Sequence, residues 1–365
     1  MAPPHAPPEL MADPVEEILL RLPPGDPACL VRASLVCKPW CRLLSAPSFR
    51  RRYRAFHRAP PLLGFLHQHH AVGVGNLPRF VPTVTPCPFP KQAFGGCAHW
   101  CVLDCRHGRV LFDVPFDSVN LAVWEPITGK RQQLPKPPIC LGCYNAAVLC
   151  AVRGCDHLDC SGGPFFVVLV GSRNILGSHL YSSEAGAWIA SADLGTGYLG
   201  YRKPSVLIRD DVYFVLIVPR NTILKYNLGK NCLTIIQSPV AHDTHGDIAL
   251  MPMEDGSLGF ASVLGSKLCL WSWNEEVVAG WVEFRAIELE TLIPSSSSIE
   301  VVGSAEGIDV IFVTTNVGAF TIELKSGQVK KVGKPWECCT VFPFMSFYTP
   351  GCACSILPSA PAEAH

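Results

Sequence analysis

The chain has 365 residues, and its 30 basic and 30 acidic side chains cancel to a formal net charge of zero. Neutrality removes the global field that would draw nucleic acid or an anionic lipid surface, and the short run Arg50-Arg51-Arg52 reads as a solvated helix face. Apolar residues make up 48% and charged ones only 16%, yet the longest apolar runs, at 165–170 and 212–218, fall far short of the ~18 residues of a membrane span.

Taken in chain order, the opening Met-Ala-Pro-Pro-His-Ala-Pro-Pro has neither the basic start nor the apolar core of a secretory signal, which leads to the expectation of a cytoplasmic or nuclear protein. A compact helical module follows. Asp13-Pro14-Val15-Glu16 opens a helix, with Asp13 as cap and Pro14 at the first helical position. Val15, Ile18, Leu19 and Leu22 recur at i, i+3, i+4 and i+7, which is one apolar face. Pro23-Pro24-Gly25 ends it, and Asp26-Pro27 starts a second helix lined by Leu30, Ala33 and Ser34. A third stripe of Val36, Trp40, Leu43 and Leu44 runs to Ser45-Ala46-Pro47, with Pro39 near its start, where a missing N–H costs least. Helices this short cannot bury all of that apolar surface among themselves, so some is left over for a partner.

This stretch resembles an F-box. The shared features are the Ile18-Leu19-x-x-Leu22 helix, the Asp26-x-x-x-Leu30 turn and the segment Leu35-Val36-Cys37-Lys38-x-Trp40; the sequence departs from the family at Leu10-Met11, where Leu-Pro is usual. The resemblance implies docking to a Skp-type adaptor, and through it to a cullin–RING ubiquitin ligase, with Leu10, Pro14, Ile18, Leu19, Leu22, Leu30, Val36 and Trp40 as contact residues. Further on, Cys105-Arg106-His107-Gly108-Arg109-Val110-Leu111 and Val123-Trp124-Glu125-Pro126-Ile127-Thr128-Gly129-Lys130 resemble plant F-box proteins that carry a β-propeller-like associated domain.

The residues after the module carry a propeller signature of their own. An aromatic or apolar anchor is followed five positions later by a turn glycine at Trp124/Gly129, Tyr181/Gly186 and Ile322/Gly327. Tyr226/Gly229 is a shortened copy, and Trp271-Ser272-Trp273 a degenerate one with a longer loop. The anchors are separated by 57, 45, 45 and 51 residues, and a four-stranded blade takes about 40–50. Strand candidates precede each anchor at 109–113, 165–170, 212–218, 258–263 and 309–313. Five blades can be traced this way. The leftover segments 62–66 and 340–348, paired in one blade, would close a ring and hide both open edges. The expected fold is mainly β with a small N-terminal α domain: a three-helix F-box followed by a propeller of about six blades, with a β-sandwich pair as the competing architecture. The expected layout is a tail at 1–8, the F-box at 9–57, the propeller at 58–350 and a second tail at 351–365. Segments 135–138, 153–164 and 294–298 read as surface loops.

The 18 cysteines are expected to be reduced, since nothing points to an oxidising compartment. Cys97, His99, Cys101, Cys105 and His107 crowd together, and Cys140/Cys143 is a lone CxxC. A structural zinc site takes four ligands, commonly in complementary pairs, so no metal and no cofactor is assigned. Catalytic signatures are absent: there is no phosphate loop, GxSxG elbow, HExxH or strand-borne GxGxxG. His242-Asp-Thr-His245-Gly-Asp247 and His67-Gln-His69-His70 read as polar loops, and Asp113, Asp210, Asp211, Asp247, Glu300 and Asp309 as strand-end turns. The expected function is therefore non-enzymatic. The chain would be the substrate-recognition subunit of an SCF-type ligase, with the propeller holding an unidentified target protein and no nucleic-acid or membrane partner. The alternative is a propeller enzyme or carbohydrate-binding module with an incidental helical start.

Overall fold

The structure is a computed structural model and describes residues 12–68, 78–84, 100–114, 119–138, 143–158, 160–172, 175–195, 203–216, 222–239, 248–274, 280–293, 299–334 and 340–349. Four helices lead: α1 (Ala12–Leu20), α2 (Pro27–Ser34), α3 (Lys38–Ser45) and α4 (Pro47–His57). The expectation of three helices is thus one short. Pro47 does not end the helical region but occupies the first turn of α4, where its missing N–H is no loss. Likewise α1 begins at Ala12, which puts Asp13 inside the helix and not at its cap. The second start is as the sequence indicates, since the Asp26 carboxylate accepts the Ala28 N–H at 3.1 Å.

Strands then arrange as six separate sheets. The first two strands are β1 (Leu62–Gln68) and β2 (Arg79–Pro82). Next come β3 (Cys101–Arg106), β4 (Arg109–Asp113), β5 (Leu121–Trp124) and β6 (Arg131–Gln133), then β7 (Cys143–Cys150), β8 (Phe165–Ser172), β9 (Leu176–Ser182) and β10 (Ala187–Gly195). The following blade holds β11 (Val206–Ile208), β12 (Asp211–Leu216), β13 (Thr222–Asn227) and β14 (Cys232–Gln237). After it come β15 (Ile248–Pro252), β16 (Leu258–Leu264), β17 (Lys267–Trp273) and β18 (Trp281–Glu288). The last strands are β19 (Ile299–Ala305), β20 (Val310–Thr315), β21 (Gly318–Glu323), β22 (Val329–Gly333) and β23 (Thr340–Met345).

Within each complete blade the strands pair in chain order, and β3, β7, β11, β15 and β19 lead their blades. The sixth sheet, β2-β1-β23, joins the two ends of the domain, with Phe65 opposite Pro343 and Leu66 opposite Phe342. The toroid is a six-bladed propeller, and the ring closes through 62–66 and 340–348 as the sequence suggests. All five anchors fall in the third strand of a blade, and the strand candidates before them in the second. Two anchor turns are superimposable in hydrogen bonding: Gly129 N–H donates to Glu125 C=O and Gly327 N–H to Glu323 C=O, both at 2.8 Å. These glycines have φ of +73° and +71°, a region a side chain disfavours.

Where the core sits follows from this topology. Six apolar clusters each straddle one seam between adjacent blades, from the β3–β6/β7–β10 seam (Leu103, Val123, Val148, Leu169) around to the β19–β22/closing-blade seam (Phe65, Phe312, Val341). A seventh cluster, of Val15, Leu19, Leu20, Leu30, Ala33, Leu44, Phe49 and Tyr53, is the helical core, and Phe347 from just beyond β23 completes it. His67, expected in a polar loop, is buried in β1 opposite Val341. The 242–247 cluster, 294–298, His69 and His70 lie outside the described residues.

Phe65 is fully buried and meets Phe312 edge-on at 5.2 Å across the closing seam. Phe65→Ala should therefore lower unfolding free energy by about 3–5 kcal/mol. Ile235→Ala on the exposed face of β14 should stay within about 0.5 kcal/mol. Urea denaturation curves of the two variants check this.

Candidate docking face and channel-mouth cavity

The helical module is closed from within by α4. Phe49 and Tyr53 are fully buried, the Tyr53 hydroxyl donates to Leu22 C=O at 2.8 Å, and His57 Nε2 contacts Leu20 C=O at 2.9 Å. Arg52, expected only to be solvated, reaches Glu16 and Glu17 at 2.6 Å each and ties α4 to α1; at such exposure each pair contributes at most about 1 kcal/mol.

The eight residues that the resemblance marked as contacts separate by burial. Leu10 lies outside the described residues. Leu19 and Leu30 sit in the helical core, shut off by neighbouring helices, so as placed they hold the module together and offer no surface. They are buried because the inward stripe of α1 and α2 packs onto the module's own aromatics. Leu22 and Trp40 are half-buried against the same core. Pro14 is exposed, and Ile18 and Val36 are 58% and 64% exposed. Leu35, which the stripe analysis passed over, is 79% exposed at the end of α2. Three large aliphatic side chains thus stand in solvent on a module of fewer than 50 residues whose interior is already filled.

A second feature lies where this module meets the ring. A cavity of about 200 Å³ is bounded by Arg54, Arg58 and Pro60 on the helical side and by the turns between first and second strands of several blades on the other. Its floor is crossed by Arg106, at the end of β3. That guanidinium donates to Asp104 at 2.9 Å and the Ser205 hydroxyl at 3.2 Å, and also to Ser205 C=O at 2.8 Å and Glu306 at 2.9 Å. Asp104 accepts the Val148 N–H as well, at 2.8 Å. Arg106 therefore links three blades, those of β3, β11 and β19, and Asp104 adds the β7 blade.

Burial by itself would lower the Arg106 pKa, but the Asp104 and Glu306 carboxylates outweigh it and hold the group cationic. Burial pushes Asp104 up to about 6 against the pull of Arg106. His107 is pushed down to about 2, by burial first and then by the positive charge of Arg106, so it is neutral at neutral pH. Arg109, 1% exposed, binds Glu125 at 3.2 Å and donates to Cys160 C=O and, at 2.7 Å, to Gly163 C=O. Glu125 in turn accepts the Gly162 N–H at 2.9 Å. Both arginines of the 105–111 motif and the glutamate of the 123–130 motif are thus internal ties, and the carboxylates at the mouth are already engaged. Among the described residues Asp113, Asp210, Asp211, Glu300 and Asp309 do not line this cavity; Asp211 pairs with Lys225 and Asp309 with Lys325.

A helical docking module seated on a six-bladed ring is the architecture of a two-part propeller protein. Residues 10–52 match the F-box domain, and residues 101–351 match the family described as F-box protein AT5G49610-like, beta-propeller. The chain belongs to that family of propeller-bearing F-box proteins. No curated protein matches it. Among solved structures, a chain of a Mitotic Checkpoint Complex crystal structure is similar at 12% identity and a TM-score of 0.38, over 66% of this chain and 81% of that one. Among the described residues no helix is long and apolar enough to cross a membrane.

Removing Arg106 strands a buried carboxylate. Arg106→Met should cost about 3–5 kcal/mol, and adding Asp104→Asn should recover part of that loss by removing the stranded charge. Thermal and urea unfolding of the single and double variants test the tie.

Proposed function

We propose that this chain is the substrate-recognition subunit of an SCF-type cullin–RING ubiquitin ligase. The helical module docks a Skp-type adaptor, and the propeller holds the target protein. The observation that carries the reading is the solvent exposure of Ile18, Leu35 and Val36 on a module whose own core is complete, since large apolar side chains left in solvent by a finished core call for a protein partner. The docking surface is assigned to these three with Pro14, Leu22 and Trp40 at its margin and Leu10 as an outlying contact; Leu19 and Leu30 support it from beneath.

The gain such a subunit provides is effective concentration. A target tethered beside the ligase's charged enzyme reacts almost intramolecularly, and no residue of this chain forms a bond to ubiquitin. Family members of this kind are typically non-enzymatic. An enzyme reading gains nothing from the channel mouth, where Asp104 and Glu306 both clamp Arg106. Because the helical module occupies one end of the ring, the target is assigned to the opposite end, on which turns such as 264–267 and 315–318 between second and third strands open. The setting this implies is the cytoplasm or nucleus.

Ile18→Glu and Val36→Glu replace exposed side chains, so both variants should melt within a few degrees of wild type. Each should weaken capture of a purified Skp-type adaptor about 30-fold or more, as at an interface hot spot. Leu30→Glu, by contrast, should unfold the module. Undiminished adaptor capture by the double exposed-face variant would remove the basis of the assignment.

A further inference from the structure

The sequence places a potential metal cluster at 97–107, but its Cys97 and His99 lie outside the described residues, and Cys101 is buried in β3. A different set converges in space. Cys150 ends β7, and Cys155, His157 and Cys160 follow on the connection to β8, giving the spacing Cys-x4-Cys-x-His-x2-Cys. One ligand atom from each of the four residues lies within 4.8 Å of all the others. Cys155 Sγ is 3.7 Å from Cys160 Sγ, and Cys160 Sγ is 3.6 Å from His157 Nδ1.

The 3.7 and 3.6 Å edges are those a tetrahedral zinc requires, and the other ligand atoms, within 4.8 Å, stand close enough to be drawn in on binding. Zinc–sulfur arms of ~2.3 Å and zinc–nitrogen arms of ~2.0–2.1 Å give sulfur–sulfur edges of about 3.8 Å and sulfur–nitrogen edges of about 3.6 Å. A disulfide does not fit as well, because its sulfurs would stand about 2.05 Å apart, and all of these thiols are free. Plain apolar packing leaves two details without cause. A backbone amide points at one of the sulfurs, the His157 N–H at Cys155 Sγ, at 3.4 Å. Such a donor stabilises a metal-bound thiolate as outer partners of a site do. His157 also adopts φ of +57°, which turns its Nδ1 toward Cys160.

We propose that Cys150, Cys155, His157 and Cys160 form a Cys3His site for a structural zinc ion. Four protein ligands leave no open position, so the site is structural and not catalytic. On binding, the three cysteine thiols lose their protons to solvent and the imidazole binds neutral through Nδ1; zinc stays divalent, and the centre carries one net negative charge. Its position gives it a task. The 151–164 connection carries Leu158, which packs against the helical core, and His157, whose ring stacks on His107 at 4.2 Å. Arg109 holds the far end of the same connection through Cys160 and Gly163. Zinc would therefore lock the propeller loop on which the docking module rests, whatever protein that module binds.

The test is made on the full chain, produced in zinc-supplemented medium and purified under reducing conditions without chelator. Elemental analysis should find one zinc per chain in the wild type and in Cys37→Ser, a control at the exposed cysteine that precedes α3. Cys155→Ser/Cys160→Ser should retain less than a tenth of that. In case the double variant misfolds, cobalt is titrated into metal-free wild type. Intense visible bands of tetrahedral cobalt with thiolate-to-metal charge transfer, saturating at one equivalent, support the site. Trypsin cleavage after the exposed Arg153 should be slowed at least tenfold by added zinc. A wild type without zinc overturns the proposal, as does a weak octahedral cobalt spectrum or a Cys155–Cys160 disulfide found by peptide mapping of alkylated protein.

Discussion

Ring closure is the constraint on which the remainder of the molecule depends. A propeller has no single centre of apolar mass, and here the buried side chains lie in six seams, each of which needs a blade on both sides. The antiparallel pairing of β1 with β23 supplies the last wall of two seams at once. It also removes the open sheet edges that would otherwise invite another chain to pair. The same strand end delivers Phe347 to the helical core, where it meets Tyr53 at 6.1 Å. Closing the ring and seating the docking module are therefore coupled events in one short segment.

Buried cations do the lateral work that apolar seams cannot. Arg106 spans the channel to partners in other blades, and Arg109 fixes a long connection by its carbonyls. A guanidinium suits both jobs because its planar fork offers five donors and stays charged in a desolvated place. Deleting a single partner of such a set is costly, because the remaining charge is left without solvent. This explains why a basic motif sits at the heart of a chain with no net charge and no basic surface field.

How much was legible in the sequence depended on whether a feature was periodic. Trp124, Tyr181 and Ile322 announced their blades because an anchor and a turn residue recur at fixed offset, and each does occupy a third strand. Helix α4 was not counted as a separate helix because Pro47 looks like a stop, although Arg50-Arg51-Arg52 read as a helix face and Phe49 and Tyr53 lie one helical turn apart. Along α1, Ile18 and Leu19 both fit the apolar stripe; which one faces outward was decided by Phe49 and Tyr53 arriving from 30 residues away. The Cys150–Cys160 set escaped notice for a similar reason. Its ligands are not paired as two CxxC units, and one of them belongs to a strand while three belong to a loop.

The β1–β23 pairing also bears on how the protein is made. Strand β1 leaves the ribosome early, yet its partner begins at Thr340, 278 positions after Leu62. At translation speeds of about 5–20 residues per second, β1 waits on the order of 15–55 s for that neighbour. During this interval the α-helical module is already outside the exit tunnel, with Ile18, Leu35 and Val36 unshielded, beside a half-built toroid with a naked edge. Early capture by a binding partner or a chaperone would protect both surfaces until the final strand arrives, which makes nascent-chain timing a determinant of yield for this architecture.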